Sequence, residues 1–482
     1  MSSAPSNLTA CTASELIALY ASGTASPREV TQAVLDRITR LNPALNAYCL
    51  VDAEAALAEA ARSEDRWFRH RRDGSPVGEL DGVPVSIKDL VLTRGWPTLR
   101  GSLTVDAAQP WEVDAPATAR LREAGAVLLG KTNTPEFGCK AETNSPRTGL
   151  TRNPWDLAKT PGGSSGGAAA AVAAGLGPLA LGTDGAGSVR IPAAFCGNVG
   201  IKPSFGRVPA WPLSPFGTVA HLGPHAMSVA DAARMLNVLK RPDARDWTSL
   251  PFDPADYVAG LGAAPEALLR GVRIAWSPTL GYAKGIDPEV AAAVESAVRM
   301  LAAAGAVVEA VDPGFADPLE ISTGLWFVGA WTVWSGLSPA QQAVADPDFR
   351  AQAERGARFS ALDIQRLHLR RGELGSHMRQ FMQRFDLLAT PSVAIPAFDA
   401  LPAGHRPMDE QAMLGWTPFS YPFNLTQQPA CSLPCGLTAA GLPIGLQLVG
   451  PMFGDAALLR AAAAFEALCP VARPGLGWAA SV

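Results

Sequence analysis

From about residue 80 onward, short apolar runs alternate with amphipathic segments, and this alternation strongly limits the folds open to the chain. The apolar runs at 83–87, 126–129, 387–389 and 444–449 predict buried strands. The segments that predict helices are 115–124, 168–175, 228–240, 288–304 and 455–468. Buried strands separated by helices are typical of a sheet that is covered on both faces. The sequence therefore predicts an α/β layer fold.

The N-terminal part of the chain has a different pattern. Residues 13–65 carry apolar side chains at helical spacing. Ser26 followed by Pro27 marks a helix start, because serine caps free N–H groups and proline is favoured at the first helical position. We expect this whole segment to be helical.

No internal repeat and no low-complexity linker divides the sequence, which predicts one domain over residues 1–482. Residues 1–70 are its N-terminal helical segment, and residues 75–235 are its core. The region 310–420 is the least regular and is rich in tryptophan. We expect this region to form part of the substrate pocket.

Composition disfavours several classes of function. The net charge of −4 gives no basic surface for nucleic acid or an anionic membrane. No apolar run reaches the roughly 18 residues of a membrane span, and the N-terminus lacks the basic and apolar regions of a secretory signal. The seven cysteines lie far apart without zinc-binding spacing. This pattern favours reduced thiols in a cytoplasmic protein without a metal.

Two glycine-rich segments stand out. Residues 162–167 (GGSSGG) open directly into an alanine-rich helix, which a flexible linker rarely does inside a hydrophobic chain. A tight turn that holds serine hydroxyls against other backbone fits better. In residues 182–190 (GTDGAGSVR), small residues let backbone N–H groups converge beside Ser188, as an oxyanion site requires. Taken alone, a plain glycine turn explains this second segment equally well.

Lys88 ends the apolar run VPVSIK. A lysine at the end of a buried strand is unusual, because burying its charge is costly. A structural salt bridge with Asp89 is the simplest alternative to a catalytic role. Adjacent residues of a strand point to opposite faces, which disfavours that salt bridge.

Two further patterns match known motifs in letters but not in context. Residues 125–132 (GAVLLGKT) fit the phosphate-binding pattern GxxxxGK[ST], but their middle residues are strand-like and a turn follows. Residues 162–166 fit the esterase pattern GxSxG, but loop-type sequence precedes them. No clear catalytic partner is found among His221, His225, His368, His377 and His405. Nucleotide binding and an α/β-hydrolase esterase are therefore disfavoured.

Taken together, these segments resemble the amidase signature family. The resemblance covers about 75–235 and 385–470, and its most specific part is 162–208. GVPVSIKD, RLREAGAVLLGKTNTPEFG, TRNPWDL and LPIGLQLVG occur in the family's order. The resemblance implies a three-layer α/β/α sandwich with a central mixed twisted sheet covered by helices on both faces. It also implies a serine amidohydrolase that needs no cofactor and acts on C–N bonds other than peptide bonds.

By this resemblance, Ser188 matches the nucleophile, Ser164 the bridging serine and Lys88 the base, with a cis peptide bond before Ser164. The other positions that it assigns are the oxyanion-hole N–H groups of Gly185, Ala186, Gly187 and Ser188, and the supporting residues Asp184, Arg190 and Gly163. Lys88 can serve as a base only when neutral, which requires a pKa roughly three units below the usual 10.4. Ser164 would then carry the proton from Ser188 to Lys88 and on to the leaving nitrogen.

Three positions depart from the family pattern. Relatives usually have glycine at the position of Ala186 and frequently at that of Gln427, and threonine at that of Ser204. The methyl group of Ala186 has to fit the backbone conformation of the turn, or the oxyanion hole is altered. Gln427 is expected to affect the pocket.

The substrate is less constrained than the chemistry. Trp326 and Trp331 belong to an aromatic cluster that either fills the core or lines the pocket. If they line it, aryl amides, carbamates (urethanes) and esters are favoured. The expected partner is a small-molecule amide or carbamate, and relatives favour a homodimer.

Three alternative functions stay open. The first is the glutaminase-type A subunit of a tRNA-dependent amidotransferase. Such relatives usually carry threonine at the Gly185 position and a Ser-Leu-Asp-Gln segment, where this chain has VAHLGP at 219–224. The second is an oligoamide (nylon-type) hydrolase. The third is a non-catalytic scaffold, from which we expect the loss of Lys88, Ser164 or Ser188; all three are present.

Overall fold

A computed structural model describes residues 7–405, 411–470 and 472–481 of the chain. Within these ranges, eleven strands form one mixed sheet flanked by helices, and two short strands form a separate ribbon. The predicted α/β layer fold is confirmed. Residues 1–6 of the predicted N-terminal segment and 406–410 of the predicted variable region lie outside the described residues.

The strands are β1 (Tyr48–Val51), β2 (Pro84–Lys88), β3 (Val127–Thr132), β4 (Asn144–Ser145), β5 (Gly149–Leu150), β6 (Leu179–Asp184), β7 (Val199–Lys202), β8 (His221–Ala226), β9 (Arg273–Trp276), β10 (Val307–Ala310), β11 (Leu387–Pro391), β12 (Ala430–Leu437) and β13 (Pro443–Val449). The order in the large sheet is β1-β3-β2-β6-β8-β7-β12-β13-β11-β9-β10. Strand β2 pairs in parallel with β3 and β6, while β8 and β12 join the two halves through antiparallel pairs.

The helices are α1 (Ala13–Ser22), α2 (Pro27–Leu45), α3 (Ala53–Asp73), α4 (Pro116–Glu123), α5 (Gly166–Ala173), α6 (Arg190–Cys196), α7 (Val229–Leu239), α8 (Pro265–Leu269), α9 (Pro288–Ala303), α10 (Leu319–Trp334), α11 (Pro339–Val344), α12 (Pro347–Gly356), α13 (Ala361–Phe381), α14 (Pro422–Leu425) and α15 (Asp455–Leu468). All four predicted strands and all five predicted helices of the α/β part are present, with shifts of a few residues at their ends.

The helical prediction for residues 13–65 is correct except at one place. Helix α2 starts as predicted, because Ser26 accepts a hydrogen bond from Glu29 N and Pro27 is the first helical residue. Between α2 and α3, however, β1 pairs antiparallel with β3 and forms an edge of the sheet. Four residues are too few for their periodicity to separate a strand from a helix end.

The phosphate-loop pattern at 125–132 is a strand and not a loop. Strand β3 contains Lys131, whose side chain is buried and donates to Val91 O and to Thr98 Oγ1 (2.8 Å). The lysine therefore satisfies backbone and side-chain oxygens inside the protein. None of the helices in the described ranges is both long enough and apolar enough to span a bilayer.

Candidate active site

Lys88 is the last residue of β2, and every residue of this strand is buried. Its Nζ lies 2.7 Å from Ser164 Oγ and 2.9 Å from Ser165 Oγ. A third oxygen, Oγ1 of Thr183 on the neighbouring strand β6, is 2.8 Å away. The side chain is thus surrounded by three hydroxyl groups. Within the described part of the chain, it makes no ion pair with Asp89, which lies 3.9 Å from Lys131 instead.

Burial decides the charge of Lys88. Removing the ammonium group from water lowers the Lys88 pKa well below its usual 10.5, and the negative charge of Asp184 only partly opposes this. The three hydroxyl neighbours bind a neutral amine without adding a countercharge. Lys88 is therefore deprotonated far more readily than a surface lysine, as a general base requires.

The GGSSGG segment places two of these hydroxyls. The Gly163–Ser164 peptide is cis, as the resemblance implies. A Cβ atom on Gly163 would lie 2.5 Å from the backbone of Glu142, so glycine is needed there. The backbone N–H of Ser165 donates to Ser188 O over 3.2 Å. This hydrogen bond ties the Ser164 segment to the turn that carries Ser188.

A buried carboxylate organises that turn. Asp184 ends β6 and accepts hydrogen bonds from the backbone N–H groups of Gly187 (2.8 Å) and Val189 (3.2 Å). Arg190 donates to the same carboxylate from Nε and Nη2, over 3.0 and 2.9 Å. Both side chains are fully buried. The structure places Asp184 and Arg190 as supports of the turn.

The charge of Asp184 is stabilised by its neighbours. Burial alone would raise the pKa of Asp184. The charge and hydrogen bonds of Arg190 outweigh this effect and hold the pKa of Asp184 well below the usual 3.8. Arg190 is held in turn by Ser420 O, Asn424 Oδ1 and Gln447 Oε1 at 2.7–2.9 Å. The turn therefore rests on an ionised carboxylate and a fully bonded guanidinium group.

The N–H groups of the turn fall into two sets. The Gly187 N–H donates to Asp184, and a carboxylate is a stronger acceptor than a neutral oxygen. Gly187 therefore differs from the expectation that its N–H faces the substrate. Among the described residues, the N–H groups of Gly185, Ala186 and Ser188 have no hydrogen-bond acceptor. These three donors are available to a ligand at this turn.

The departure from glycine at position 186 is accommodated. The Ala186 backbone does not take a positive φ, and its carbonyl accepts a hydrogen bond from Ser420 Oγ over 2.7 Å. Gly187 has φ 121°, and a Cβ there would lie 2.5 Å from Ser420 Oγ. The position that requires glycine is therefore 187. Gln427 has φ 65°, a conformation that favours glycine, and this explains why glycine suits the position in relatives. Its side chain donates to Thr218 O over 3.0 Å.

A cavity of about 170 Å³ is lined by Ser164, Ser188 and Thr183 on its polar side. Most of the remaining lining is apolar, and the segment 210–216 (AWPLSPF) supplies its longest continuous part. The predicted variable region contributes Trp326 and Val333 of α10. The candidate nucleophile thus lies on a partly open, largely apolar cavity.

Trp326 lines this cavity and Trp331 does not. The Trp326 ring stacks on Phe216 with centroids 3.9 Å apart, and its Nε1 donates to Cys139 O over 3.1 Å. Trp331 is 37% exposed and is not among the described residues that line the cavity, which contradicts its assignment to the pocket. Five residues of a helix turn the side chain by about 140°, whereas seven return it to nearly the same face. For this reason Val333 shares the direction of Trp326.

Sequence reasoning missed Ser165, Thr183 and most of the cavity wall. The two hydroxyls carry no motif of their own. Thr183 comes close to Lys88 because β2 and β6 are parallel neighbours, with Ile87 opposite Leu181. The segment 210–216 is irregular and has no periodicity from which its position could be read.

Histidine takes no part in this network. In the ranges that the structure describes, no hydrogen bond joins a histidine to Lys88, Ser164 or Ser188. Burial lowers the pKa of His221 well below 6.5 and that of His225 to about 3, so both rings are neutral. The same described residues contain no group of three or more Cys, His, Asp or Glu side chains suited to a metal ion.

Comparisons with known proteins show which family the chain belongs to. Residues 29–459 match the family described as Amidase. An acylamidase of Rhodococcus erythropolis is 38% identical over 96% of this chain and 96% of its own length. A glutamyl-tRNA(Gln) amidotransferase subunit of Myxococcus xanthus is 37% identical over 95% and 97%. A bacterial aryl acylamidase of the amidase signature family superposes with a TM-score of 0.87 at 31% identity, covering 95% of this chain and 96% of that one. The chain therefore belongs to the amidase signature family and is an amidohydrolase.

Proposed function

We propose that the protein hydrolyses amides through an acyl-enzyme on Ser188, with Ser164 and Lys88 as the proton relay. One observation carries this proposal: the buried Lys88 amine has hydroxyl partners, and the Ser164 oxygen is 2.7 Å away. An amine in this environment is readily neutral and can accept a proton. The hydrogen bond from Ser165 N to Ser188 O holds the two serine segments together.

The hydrogen bonds around Lys88 support one direction of proton transfer. Ser165 donates its hydroxyl hydrogen to Thr183 O over 3.0 Å, so Ser165 Oγ accepts from the amine. A neutral amine has two hydrogens and one lone pair. When the hydrogens go to Ser165 and Thr183, the lone pair is left for the Ser164 hydroxyl. Ser164 can then give its proton to Lys88 while it receives one from Ser188.

In the proposed reaction, Ser188 Oγ attacks the amide carbonyl carbon as its proton passes through Ser164 to Lys88. The free N–H groups of Gly185, Ala186 and Ser188 are the donors available to the developing oxyanion. The proton returns to the leaving nitrogen, because an amine anion is a very poor leaving group. Water then attacks the acyl-enzyme and uses the same relay to release the acid.

The lining of the cavity favours apolar acyl or aryl groups. Trp326 and Phe216 present stacked aromatic rings, and the segment 210–216 adds further apolar surface. The names of two relatives, an acylamidase and an aryl acylamidase, point the same way. We therefore propose aryl amides as the preferred class. Aryl carbamates (urethanes) and esters form acyl-enzymes by the same steps and complete the proposed range.

The second candidate is the glutaminase component of a tRNA-dependent amidotransferase, which the Myxococcus xanthus relative favours. The VAHLGP segment at 219–224 argues against it, since the subunits of this kind usually have Ser-Leu-Asp-Gln there. Co-purification of further subunits from the native host would support it. The proposed amidase works alone or as a homodimer, and light scattering of the purified chain distinguishes these states.

Side-by-side hydrolysis of a nitroanilide, a primary amide, an aryl carbamate and a linear oligoamide tests the proposed range. We expect Ser188→Ala to lower nitroanilide turnover by at least about a thousandfold and to abolish labelling by a fluorophosphonate. Ser335→Ala, a change on the exposed end of α10, is the matched control. Full nitroanilide turnover by Ser188→Ala would refute the assignment, and turnover of the oligoamide alone would replace the aryl preference.

A further inference from the structure

Arg100 brings a charged side chain to the wall of the cavity. Among the described residues that line it, Arg100 is the only one with a charged side chain, and His221 is neutral. Most of the wall around Arg100 is apolar or carries uncharged hydroxyls. A single guanidinium group on such a wall is costly to leave unpaired, because the surroundings replace water without supplying hydrogen-bond acceptors.

The backbone holds Arg100 in a fixed and unusual conformation. Arg100 has φ 57°, a left-handed conformation that is unfavourable for a residue with a side chain. The flanking N–H groups of Leu99 and Gly101 donate to the Asp89 carboxylate over 3.1 and 3.2 Å. The Arg100 carbonyl accepts from Phe137 N over 2.8 Å. Strained backbone that is held on both sides is typical of functional positions.

The guanidinium group of Arg100 is half-buried and, among the described residues, has neither a hydrogen bond nor an ion pair. Arg371 is enclosed to a similar degree, but it donates to Leu425 O and Thr218 Oγ1. Burial lowers the pKa of Arg100 from its usual 12.5, although the charge of Asp89 acts in the opposite direction. Arginine remains charged under these conditions, so its donors are open to a ligand.

Arg100 also lies near the reacting groups along the cavity wall. Phe137, which donates to the Arg100 carbonyl, and the next residue, Gly138, both line the cavity. A Cβ placed on Gly138 would lie 3.3 Å from Ser164 Oγ. One extended substrate can therefore contact Ser164 and Arg100 along the same wall.

We propose that Arg100 binds a carboxylate group of the substrate, so that the preferred substrates are amides that carry a carboxylate beside an apolar body. The inference rests on the proposed amidase function. A guanidinium group presents parallel N–H donors that match the two oxygens of a carboxylate. A singly charged group suits a site with one cation, and the surrounding apolar wall strengthens the pairing by excluding water.

Two matched pairs of substrates test this inference. N-(4-nitrophenyl)succinamate is compared with 4-nitrobutyranilide, which has the same chain length without the charge. 4-Acetamidobenzoate is compared with 4-acetamidotoluene, which places the carboxylate on the amine side. We expect the intact protein to prefer the anionic member of at least one pair by about 10- to 100-fold in kcat/KM, mainly through KM. Arg100→Gln should remove this preference, and Arg100→Lys should restore part of it.

Arg94→Gln is the control, because it removes an equal charge from an exposed position of the same loop region and should keep the preference. Thermal unfolding of each variant shows whether the fold is retained. If the intact protein hydrolyses the neutral anilide without an anionic preference in either pair, the Arg100 inference is overturned while the amidase proposal stands. A preference that survives in Arg100→Gln overturns the inference in the same way. If no amide is hydrolysed, the proposed function itself fails.

Discussion

Lys88, the last residue of β2, and Asp89, which follows it directly, hold different partners. Lys88 Nζ contacts the hydroxyls of Ser164 and Thr183, whereas the Asp89 carboxylate accepts the N–H groups that flank Arg100. One strand end therefore positions both the proposed base and the proposed carboxylate-binding residue.

We expect hydrolysis of a neutral amide to fall as the pH is lowered, because protonation of Lys88 removes the lone pair that the relay needs. Burial depresses the pKa of Lys88, so the acid limb of kcat/KM lies well below pH 10.5, the usual lysine value. Lys88→Arg should abolish turnover, since arginine stays protonated. His225→Gln should keep the limb in place. Loss of the limb in that variant would assign it to histidine and contradict the lysine role.

Ala186→Gly and Gly187→Ala should affect activity differently, although both interchange alanine and glycine. Ala186 has no positive φ, so glycine there changes kcat/KM little and lowers the free energy of unfolding by at most about 1 kcal/mol. Alanine at 187 would have to adopt φ 121°, and its Cβ would clash with the Ser420 side chain. This change should lower kcat/KM by at least about tenfold. Nitroanilide kinetics and urea unfolding of both variants measure this. Equal behaviour would contradict the observed turn.

Asp184→Asn should destabilise the protein by about 3–5 kcal/mol, since it leaves the buried Arg190 charge without its partner. The pKa of Asp184 is depressed, so its contribution to stability is complete above the unfolded value near 3.9 and is lost as the pH falls toward the folded value. The variant should therefore show a weaker loss of stability below about pH 4. Urea unfolding between pH 7 and 3 measures both effects.

The control for this experiment is Glu295→Gln, which breaks the exposed ion pair between Glu295 and Arg299. Exposed pairs of this kind contribute little to stability. If both variants unfold at the same urea concentration, the Asp184–Arg190 pair does not hold the turn as described.

Trp326→Ala and Trp331→Ala should distinguish a tryptophan that lines the cavity from one on the surface. Trp326 stacks on Phe216 and lines the cavity, so its loss should lower kcat/KM for a nitroanilide roughly tenfold, with a smaller effect on a short primary amide. Trp331 lies outside the cavity and serves as the matched control on the same helix. A larger effect of Trp331→Ala on the nitroanilide would contradict the assigned lining.

The strands, the helices and the three candidate catalytic residues could be predicted because each has a recognisable local sequence pattern. Strands such as β2 and β13 are mostly apolar, and Lys88, Ser164 and Ser188 lie in specific motifs. The separation of Trp331 from Trp326 has a local trace too, since a five-residue step along a helix changes its face.

Other features depend on contacts between distant segments. The Gly187 N–H is taken up by Asp184 only because the turn folds back on the end of β6. The guanidinium group of Arg100 lacks a partner because the neighbouring described segments place few hydrogen-bond acceptors near it. No local sequence pattern predicts this arrangement. The sequence of the cavity wall at 210–216 has no periodicity, as is usual for loops, because tertiary contacts determine its backbone conformation.

The bonds of Arg190 to Asn424 and Gln447 have a consequence for when the protein becomes reactive. During synthesis these two residues leave the ribosome more than two hundred positions after Ser188. Until they arrive, the Arg190 guanidinium group that supports the turn of Ser188 lacks two of its hydrogen-bond acceptors, so we expect partly made or truncated chains to have an incomplete turn. We therefore expect Ser188 to react with a substrate only after nearly the whole chain has been translated and folded.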